Sequence, residues 1–231
     1  MRWNLVAVAI SPLLLISNTA EAQKDSVTNP PPPHHGQSGA RWLVPLGIAA
    51  SAAFDPEVRE WSLRERSRSL DHLAKSVNPL GTAHVLVPAM AFTYAAALLT
   101  HHESFASGTL NTAAAYVASD IAESVLKPII GRERPDVEGN SHRFHPFASN
   151  GDWHSLPSAH VAHIASIAAA ISMQSHSTSL TALCSGIVAL VAWDRVYEDQ
   201  HWTSDVTATI ALTTFVSSAT VRWLESRAEH H

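Results

Sequence analysis

The sequence has little charge and almost no cysteine. Of its 231 residues, 15% are Asp, Glu, Lys or Arg, whereas an average soluble domain has roughly a quarter. The single cysteine, Cys184, excludes an internal disulfide framework. A formal net charge of −5 gives no electrostatic support to a general nucleic-acid-binding surface. Because 46% of the residues are hydrophobic, the chain can bury ample apolar surface, which excludes a disordered protein.

Charge is absent from three long stretches, residues 76–102, 158–193 and 206–221. Such stretches suit a bilayer, but the apolar segments within them are short compared with the roughly 20 residues of a typical span. Their Ser, Thr and His content suits a tightly packed soluble bundle equally well. The loops 101–111 and 174–178 contain no Lys or Arg, so the positive-inside signal of membrane proteins is missing. The sequence therefore leaves both environments open.

The first forty residues have the features of a targeting segment followed by a linker. Arg2, an apolar run over 5–17 and the small residues near Ala22 are typical of a secretory signal peptide over residues 1–22, with an uncleaved anchor helix as the alternative. Residues 23–40 contain four consecutive prolines, which predicts a Pro-rich, disordered linker. We expect export to the periplasm or cell envelope, with a folded domain over 41–228 that is soluble or membrane-associated.

The folded part has the pattern of helices. No sustained alternation of apolar and polar residues predicts strands, and the apolar stretches are rich in Ala and poor in Gly. The run Asn78-Pro79-Leu80-Gly81 predicts a helix break. We predict an all-α bundle of about six helices with the active site at one end. The helix candidates are 41–54, 56–76, 83–100, 112–127, 158–173, 179–193 and 205–224.

Three short motifs carry the polar residues that suggest chemistry, and the first is basic. It runs from Lys127 through Gly131 to Arg134 and Pro135, directly after an apolar helix. Lysine is scarce in this chain, with three in all, so its position near two arginines is informative. Alone, this cluster is explained equally well by a cationic helix C-terminus that offsets the helix dipole.

The second motif is Leu156-Pro157-Ser158-Ala159-His160, which precedes a charge-free helical run. Ser158 suits the N-cap position, and the first free amides of a helix form a natural anion site. His160, in the first turn, would face the same anion. Alone, the motif fits an ordinary helix cap with a bystander histidine.

The third motif contains Arg195, His201 and Asp205. His201 and Asp205 are four residues apart, so on a helix they share a face and can form a hydrogen bond. A carboxylate bound to one imidazole nitrogen fixes the tautomer and leaves the other nitrogen as a nucleophile or base. Arg195 adds a guanidinium suited to phosphate. Alone, the spacing fits a surface ion pair.

Together the motifs supply three cations, a helix N-terminus, a His–Asp pair and a second histidine. Phosphoryl transfer without a metal requires such a set, because charge on the equatorial oxygens must be stabilised while one group attacks and another protonates the leaving oxygen. In this order and on a helical chain, Lys-x6-Arg-Pro, Pro-Ser-x-His and Arg-x5-His-x3-Asp resemble the type 2 phosphatidic acid phosphatase/vanadium haloperoxidase superfamily. Its members include lipid phosphatases, bacterial acid phosphatases and haloperoxidases.

The resemblance implies a role for each motif residue. His201 would be the nucleophile that forms a phosphohistidine, Asp205 would orient it, and His160 would protonate the leaving group and then activate water. The phosphoryl oxygens would be bound by Lys127, Arg134, Ser158, the amide of Ala159, and Arg195. The resemblance implies neither a metal site nor a cofactor, and it implies vanadate as an inhibitor.

Two positions depart from the family pattern. Ala159 stands where the family has glycine, and its methyl group could crowd a close backbone approach, although a helical conformation tolerates alanine. Asp194 stands where the family has serine and adds an anion near an anion site. Neither change removes a catalytic group, and a lower rate or altered substrate choice stays open.

We therefore predict an exported, metal-independent phosphomonoesterase that acts on lipid phosphates or on small soluble phosphomonoesters, with no nucleic-acid partner. A vanadate-dependent haloperoxidase, with vanadate as cofactor, is one alternative, for which this chain is short. A metal-binding protein using His160, His163, His201 and Asp205 is another, but cations beside a cation site are unfavourable. A catalytically inactive envelope protein is the third.

Overall fold

The computed structural model describes residues 42–228, so the predicted signal peptide (1–22) and linker (23–40) lie outside the described residues. Within that range the fold is all-α, as predicted, and the sole strand-like pairing is one bridge between Arg132 and Phe144. Nine α-helices occur in this range, more than the six expected, and the extra ones are short. They are α1 (Leu43–Ala53), α2 (Asp55–Arg64), α3 (Arg68–Val77), α4 (Ala83–Leu99), α5 (Glu103–Ile130), α6 (Pro135–Glu138), α7 (Ala159–Ser175), α8 (Thr178–Tyr197) and α9 (Thr203–Ala228).

The segment predicted as one helix over 56–76 consists of two helices. The chain leaves the helical conformation after Arg64, and Ser67 caps the start of α3 by accepting a hydrogen bond from the Leu70 amide at 3.4 Å. The predicted break follows α3 as a short 3₁₀ helix, Asn78–Gly81. This segment packs against α7, and a Cβ atom on Gly81 would lie 2.7 Å from Cβ of His160.

Helix α5 is much longer than the predicted 112–127. Two acidic side chains in this largely apolar helix have partners: Asp120 binds His163, and Glu123 binds Lys127. The helix ends at Gly131, which adopts the left-handed conformation with φ of 59°. A Cβ atom there would lie 2.0 Å from the carbonyl oxygen of His145, so only glycine fits this turn.

The core lies around α7, which packs on α5, α8 and α9. Its buried face is built largely from alanines, and small side chains let neighbouring helices approach closely. Val161 from α7, Val188 and Val191 from α8, and Ile210 from α9 fill the space between the helices. The packing aligns the C-termini of α5 and α8 with the N-termini of α7 and α9.

Large apolar side chains remain exposed, mainly on α4 and α5. Phe92 and Leu99 are 76% and 81% exposed, respectively, and Val117 and Ile121 are more than half exposed. Within residues 42–228, α8 is long and apolar enough to cross a membrane. The bent pair Arg68–Gly81 and Ala83–Leu99, with an angle of 51°, would be a second such segment if counted as one.

Candidate active site

The three sequence motifs meet where four helix ends converge. Backbone hydrogen bonds join the first motif to the segment just before the second: the Arg134 amide donates to the Asp152 carbonyl at 2.8 Å, and the Ser155 amide donates to the Arg132 carbonyl at 3.0 Å. The indole of Trp202 donates to the Glu133 carbonyl at 2.9 Å, which joins the first motif to the third. Residues 132–134 are thus hydrogen-bonded both to the segment before the second motif and to the third motif.

His201 lies in the turn between α8 and α9, with 5% of its surface exposed. Its Nδ1 contacts the backbone carbonyl oxygen of Ser155 at 2.6 Å. A carbonyl oxygen only accepts, so Nδ1 carries the proton and the lone pair of the neutral ring is on Nε2. The ring is therefore held in the tautomer that a nucleophilic Nε2 requires.

The expected hydrogen bond between His201 and Asp205 is not formed. Their closest nitrogen and oxygen atoms are 4.0 Å apart, because His201 precedes α9 and does not share a helical face with Asp205. Asp205 Oδ2 instead accepts from the Ser155 hydroxyl at 2.5 Å and from the Trp202 amide at 2.9 Å. The influence of Asp205 on His201 thus passes through Ser155.

The three predicted phosphate-binding cations are each held by a neighbouring side chain. Lys127 forms an ion pair with the buried Glu123 one turn earlier in α5, and Arg134 donates to the side-chain oxygen of Gln200. Arg195 donates Nε and Nη2 to Asp194 at 2.9 and 2.5 Å. Asp194, the departure from the family pattern, therefore orients Arg195.

These cations act electrostatically on His201. Burial lowers the pKa of His201 well below its ordinary value, and the charges of Arg134, Lys127 and Arg195 lower it further. His201 is therefore neutral around pH 7, the form in which Nε2 can attack phosphorus.

His160 occupies the first turn of α7 and is close enough to the same cations to be affected by their charge. Its Nε2 donates to the side-chain oxygen of Asn78, in the 3₁₀ helix, at 3.3 Å. Burial first, then the charges of Arg195, His163, Lys127 and Arg134, lower the pKa of His160 from 6.5 to about 4. A dianionic phosphate among these cations would offset them and raise this pKa, which favours protonation of His160 when substrate is present.

The depressed pKa of His160 predicts a specific loss of stability in acid. Unfolded His160 binds a proton below about pH 6.5, whereas folded His160 does so only near pH 4, so its contribution to the free energy of unfolding is lost as the pH falls across this window. We expect the Tm of the wild type to fall more steeply from pH 6.5 to pH 4 than that of His160→Gln, as measured by circular dichroism. His72→Gln, at an exposed histidine, is the control. Parallel profiles for wild type and His160→Gln would contradict the expectation.

Ser158 and Ala159 begin α7 as the sequence indicates, but Ser158 does not cap the helix with its side chain. Its hydroxyl is buried and has no partner among the described residues, and the same holds for Nε of Arg134. Buried donors without acceptors are costly, and two of them in predicted phosphate-binding residues suit an anion. Ala159 is not among the described residues with positive φ, so alanine causes no backbone strain here.

The metal-site alternative has no geometric support in residues 42–228. No group of three or more His, Cys, Asp or Glu side chains in that range is placed to hold a metal ion. His163 is buried against the Gly81 carbonyl at 2.9 Å and the Asp120 carboxylate at 2.8 Å. His160 and His201 are engaged separately, with Asn78 and Ser155.

Sequence reasoning missed three residues of this region: Asp55, Arg132 and Ser155. Arg132 lies inside the first motif but outside its Lys-x6-Arg-Pro pattern, and Ser155 lies just before the second. The scarcity of charge was a usable signal for Arg132. Nothing in the sequence signals Asp55, because its partners are 77 and 149 residues away.

Comparisons with known proteins agree with the fold and identify the family. The family model described as PAP2 superfamily matches residues 108–229. No curated protein sequence matches the chain. A solved structure titled "first transmembrane PAP2 type phosphatidylglycerolphosphate phosphatase from Bacillus subtilis" shares the fold, with a TM-score of 0.62 and 19% identity over 80% of this chain and 96% of that one. Since the family model covers more than half of the sequence and includes all three motifs, the chain belongs to the PAP2 superfamily.

Proposed function

We propose that the protein is a metal-independent phosphomonoesterase that works through a phosphohistidine on His201. The observation that carries the proposal is the state of His201, a buried, neutral imidazole with its proton on Nδ1 and three cations close enough to depress its pKa. Lys127, Arg134 and Arg195 supply the positive charge that a transferring phosphoryl group needs.

In the first step, Nε2 of His201 bonds to phosphorus while the bond from phosphorus to the ester oxygen breaks. Protonated His160 gives its proton to the departing oxygen, so the product leaves as a neutral alcohol. The cations and the amide of Ala159 stabilise the charge on the three remaining oxygens, with the Ser158 hydroxyl as a further donor.

In the second step, water attacks the phosphohistidine. His160, now neutral, takes the proton from water while the bond between phosphorus and Nε2 breaks. Inorganic phosphate leaves and His201 returns to its original tautomer, which the Ser155 carbonyl has held throughout.

We propose further that the enzyme is membrane-associated and acts on a lipid phosphate in preference to a soluble one. Helices α4 and α5 expose several large apolar side chains, among them Phe92 and Leu99, and a contiguous exposed apolar patch is typical of a contact site for protein or membrane. Beside the site, Phe144 and Phe147 are 51% and 76% exposed on the connection between the first two motifs. Both would suit contact with acyl chains or a bilayer surface. Location in the periplasm or cell envelope stays a prediction from residues 1–22.

The test is hydrolysis of p-nitrophenyl phosphate and of phosphatidate in detergent micelles by the purified protein. We expect activity that survives EDTA, because the cations are side chains, and that falls with orthovanadate, which can bind in a five-coordinate form that resembles the transition state. Loss of activity in EDTA, restored by a divalent metal, would contradict the metal-independent mechanism. A kcat/KM for phosphatidate no higher than that for glycerol phosphate, whose leaving group is also an alkoxide, would contradict the lipid preference alone.

A further inference from the structure

The first residue of α2 is buried beneath the site, although α2 lies outside residues 108–229 that match the family. Asp55 is 1% exposed. Its Oδ1 accepts from the Ser204 amide at 2.9 Å, and its Oδ2 accepts from the Ser204 hydroxyl at 2.5 Å and from Arg132 Nη2 at 2.8 Å. Burying a carboxylate this deeply costs free energy unless it is paired and hydrogen-bonded, so these contacts are needed to keep Asp55 in place.

Arg132 connects this carboxylate to Asp205. Its Nη1 donates to Asp205 Oδ1 at 2.5 Å and to the Ser204 hydroxyl at 2.7 Å. Nε and Nη2 donate to the Ser141 carbonyl at 3.1 and 2.8 Å. The guanidinium is buried and binds two carboxylates at once. Its planar, forked arrangement of donors allows this geometry, which a lysine ammonium does not reproduce.

Asp205 is connected to His201 through Ser155. Its other oxygen accepts the Ser155 hydroxyl at 2.5 Å, and the carbonyl of the same serine accepts Nδ1 of His201 at 2.6 Å. Ser155 is thus held by its side chain and, through its amide, by the backbone of Arg132. A continuous chain of hydrogen bonds runs from Asp55 through Arg132, Asp205 and Ser155 to His201.

We propose that Asp55 and Arg132 are positioning residues for His201, acting through Asp205 and Ser155 to keep Nδ1 protonated and to direct Nε2 at the phosphoryl group. The proposal rests on the proposed function, in which His201 is the nucleophile. Side chains that hydrogen-bond to a reacting group without touching the substrate fix its orientation and tautomer. Their loss lowers kcat because a small displacement of the reacting atom slows the reaction.

A second link from α2 provides a matched control. Arg59, one turn after Asp55, donates Nε and Nη2 to Asp199 at 2.7 and 2.8 Å, and Asp199 is two residues before His201. This ion pair also ties α2 to the turn that carries His201, but the Asp55–Arg132–Asp205–Ser155 chain does not include it. Arg59→Gln removes an attachment of α2 without removing a member of that chain.

The kinetic test compares Asp55→Asn, Arg132→Gln, Arg132→Lys and Arg59→Gln with p-nitrophenyl phosphate as substrate. We expect kcat to fall about 10- to 100-fold in Asp55→Asn and Arg132→Gln, with an unchanged inhibition constant for inorganic phosphate because Lys127, Arg134 and Arg195 are intact. Arg132→Lys should recover part of the loss, and Arg59→Gln should keep kcat near the wild type. Equal losses in Arg59→Gln and Asp55→Asn, or weaker phosphate inhibition that accounts for the loss, would overturn the proposal.

A second measurement does not depend on turnover. Long-range ¹⁵N–¹H spectra of the histidine rings should show His201 of the wild type as the pure Nδ1–H tautomer and His201 of Asp55→Asn as a mixture. An unaltered tautomer together with unaltered kcat in Asp55→Asn would overturn the proposal. A wild type that shows the expected tautomer but hydrolyses no phosphomonoester would contradict the proposed function. The role of Asp55 and Arg132 in holding the His201 ring would be unaffected.

Discussion

Replacing His201 by asparagine should reduce the kcat for phosphomonoester hydrolysis by about four to six orders of magnitude, the range seen when a covalent nucleophile is removed. The asparagine amide can still donate to the Ser155 carbonyl that His201 contacts, so the packing of the turn is kept. It has no lone pair comparable to that of Nε2, so no phosphoenzyme forms. The measurement is p-nitrophenyl phosphate hydrolysis at a protein concentration high enough to detect the residual rate.

The covalent step has its own measurement. Brief incubation with a ³²P-labelled substrate and denaturation in alkali should leave label on the wild type that acid removes, as expected for phosphohistidine, and none on His201→Asn. His154→Asn is the matched control, because His154 is near the site but contacts the Ala148 carbonyl instead. Equal labelling of wild type and His201→Asn would refute His201 as the nucleophile.

Replacing His160 by glutamine should have an effect that depends on the leaving group. With an alkyl phosphate such as glycerol phosphate, kcat should fall about 10²- to 10⁴-fold, because the departing alkoxide needs a proton. With p-nitrophenyl phosphate the first step needs little help, since p-nitrophenolate is a stable anion. The second step still lacks its base, so we expect a burst of p-nitrophenol equal to the amount of enzyme, followed by slow turnover.

Stopped-flow absorbance distinguishes the two steps directly. His72→Gln is the control, because His72 is exposed on α3 and lies outside the proposed chemistry. If His160→Gln slowed both substrates equally and gave no burst, His160 would not be the acid and base of this reaction.

Much of the helical framework is predictable from the sequence because long charge-free, alanine-rich stretches have few alternatives to packed helices. The division of 56–76 into α2 and α3 was missed, since the capping role of Ser67 depends on one local hydrogen bond inside a continuous amphipathic pattern. The predicted helix 112–127 is shorter than α5, Glu103–Ile130, which continues through Gly108 and Pro128, two residue types that disfavour a helix interior. Asp120 and Glu123, both inside the predicted helix, are paired with His163 and Lys127.

For the site, the residue types and their order were readable, but the connections among them were not. The spacing of His201 and Asp205 suggested a direct hydrogen bond on one helical face. The structure instead places His201 before α9 and inserts Ser155 between the two side chains. A four-residue spacing determines geometry only inside a helix, and both the predicted helix 205–224 and α9, which begins at Thr203, leave His201 outside.

The few charged residues of this chain show which properties the sequence determines and which the fold determines. The sequence by itself determined an all-α chain with three motifs of the PAP2 superfamily, because those properties depend on residue type and on short spacings. Only the tertiary structure decided which charges meet. Arg132 binds Asp55 and Asp205 from segments 77 and 73 residues away, and Arg59 binds Asp199 from 140 residues away. Hydrogen bonds between distant segments depend on how helices pack, and no local pattern encodes them.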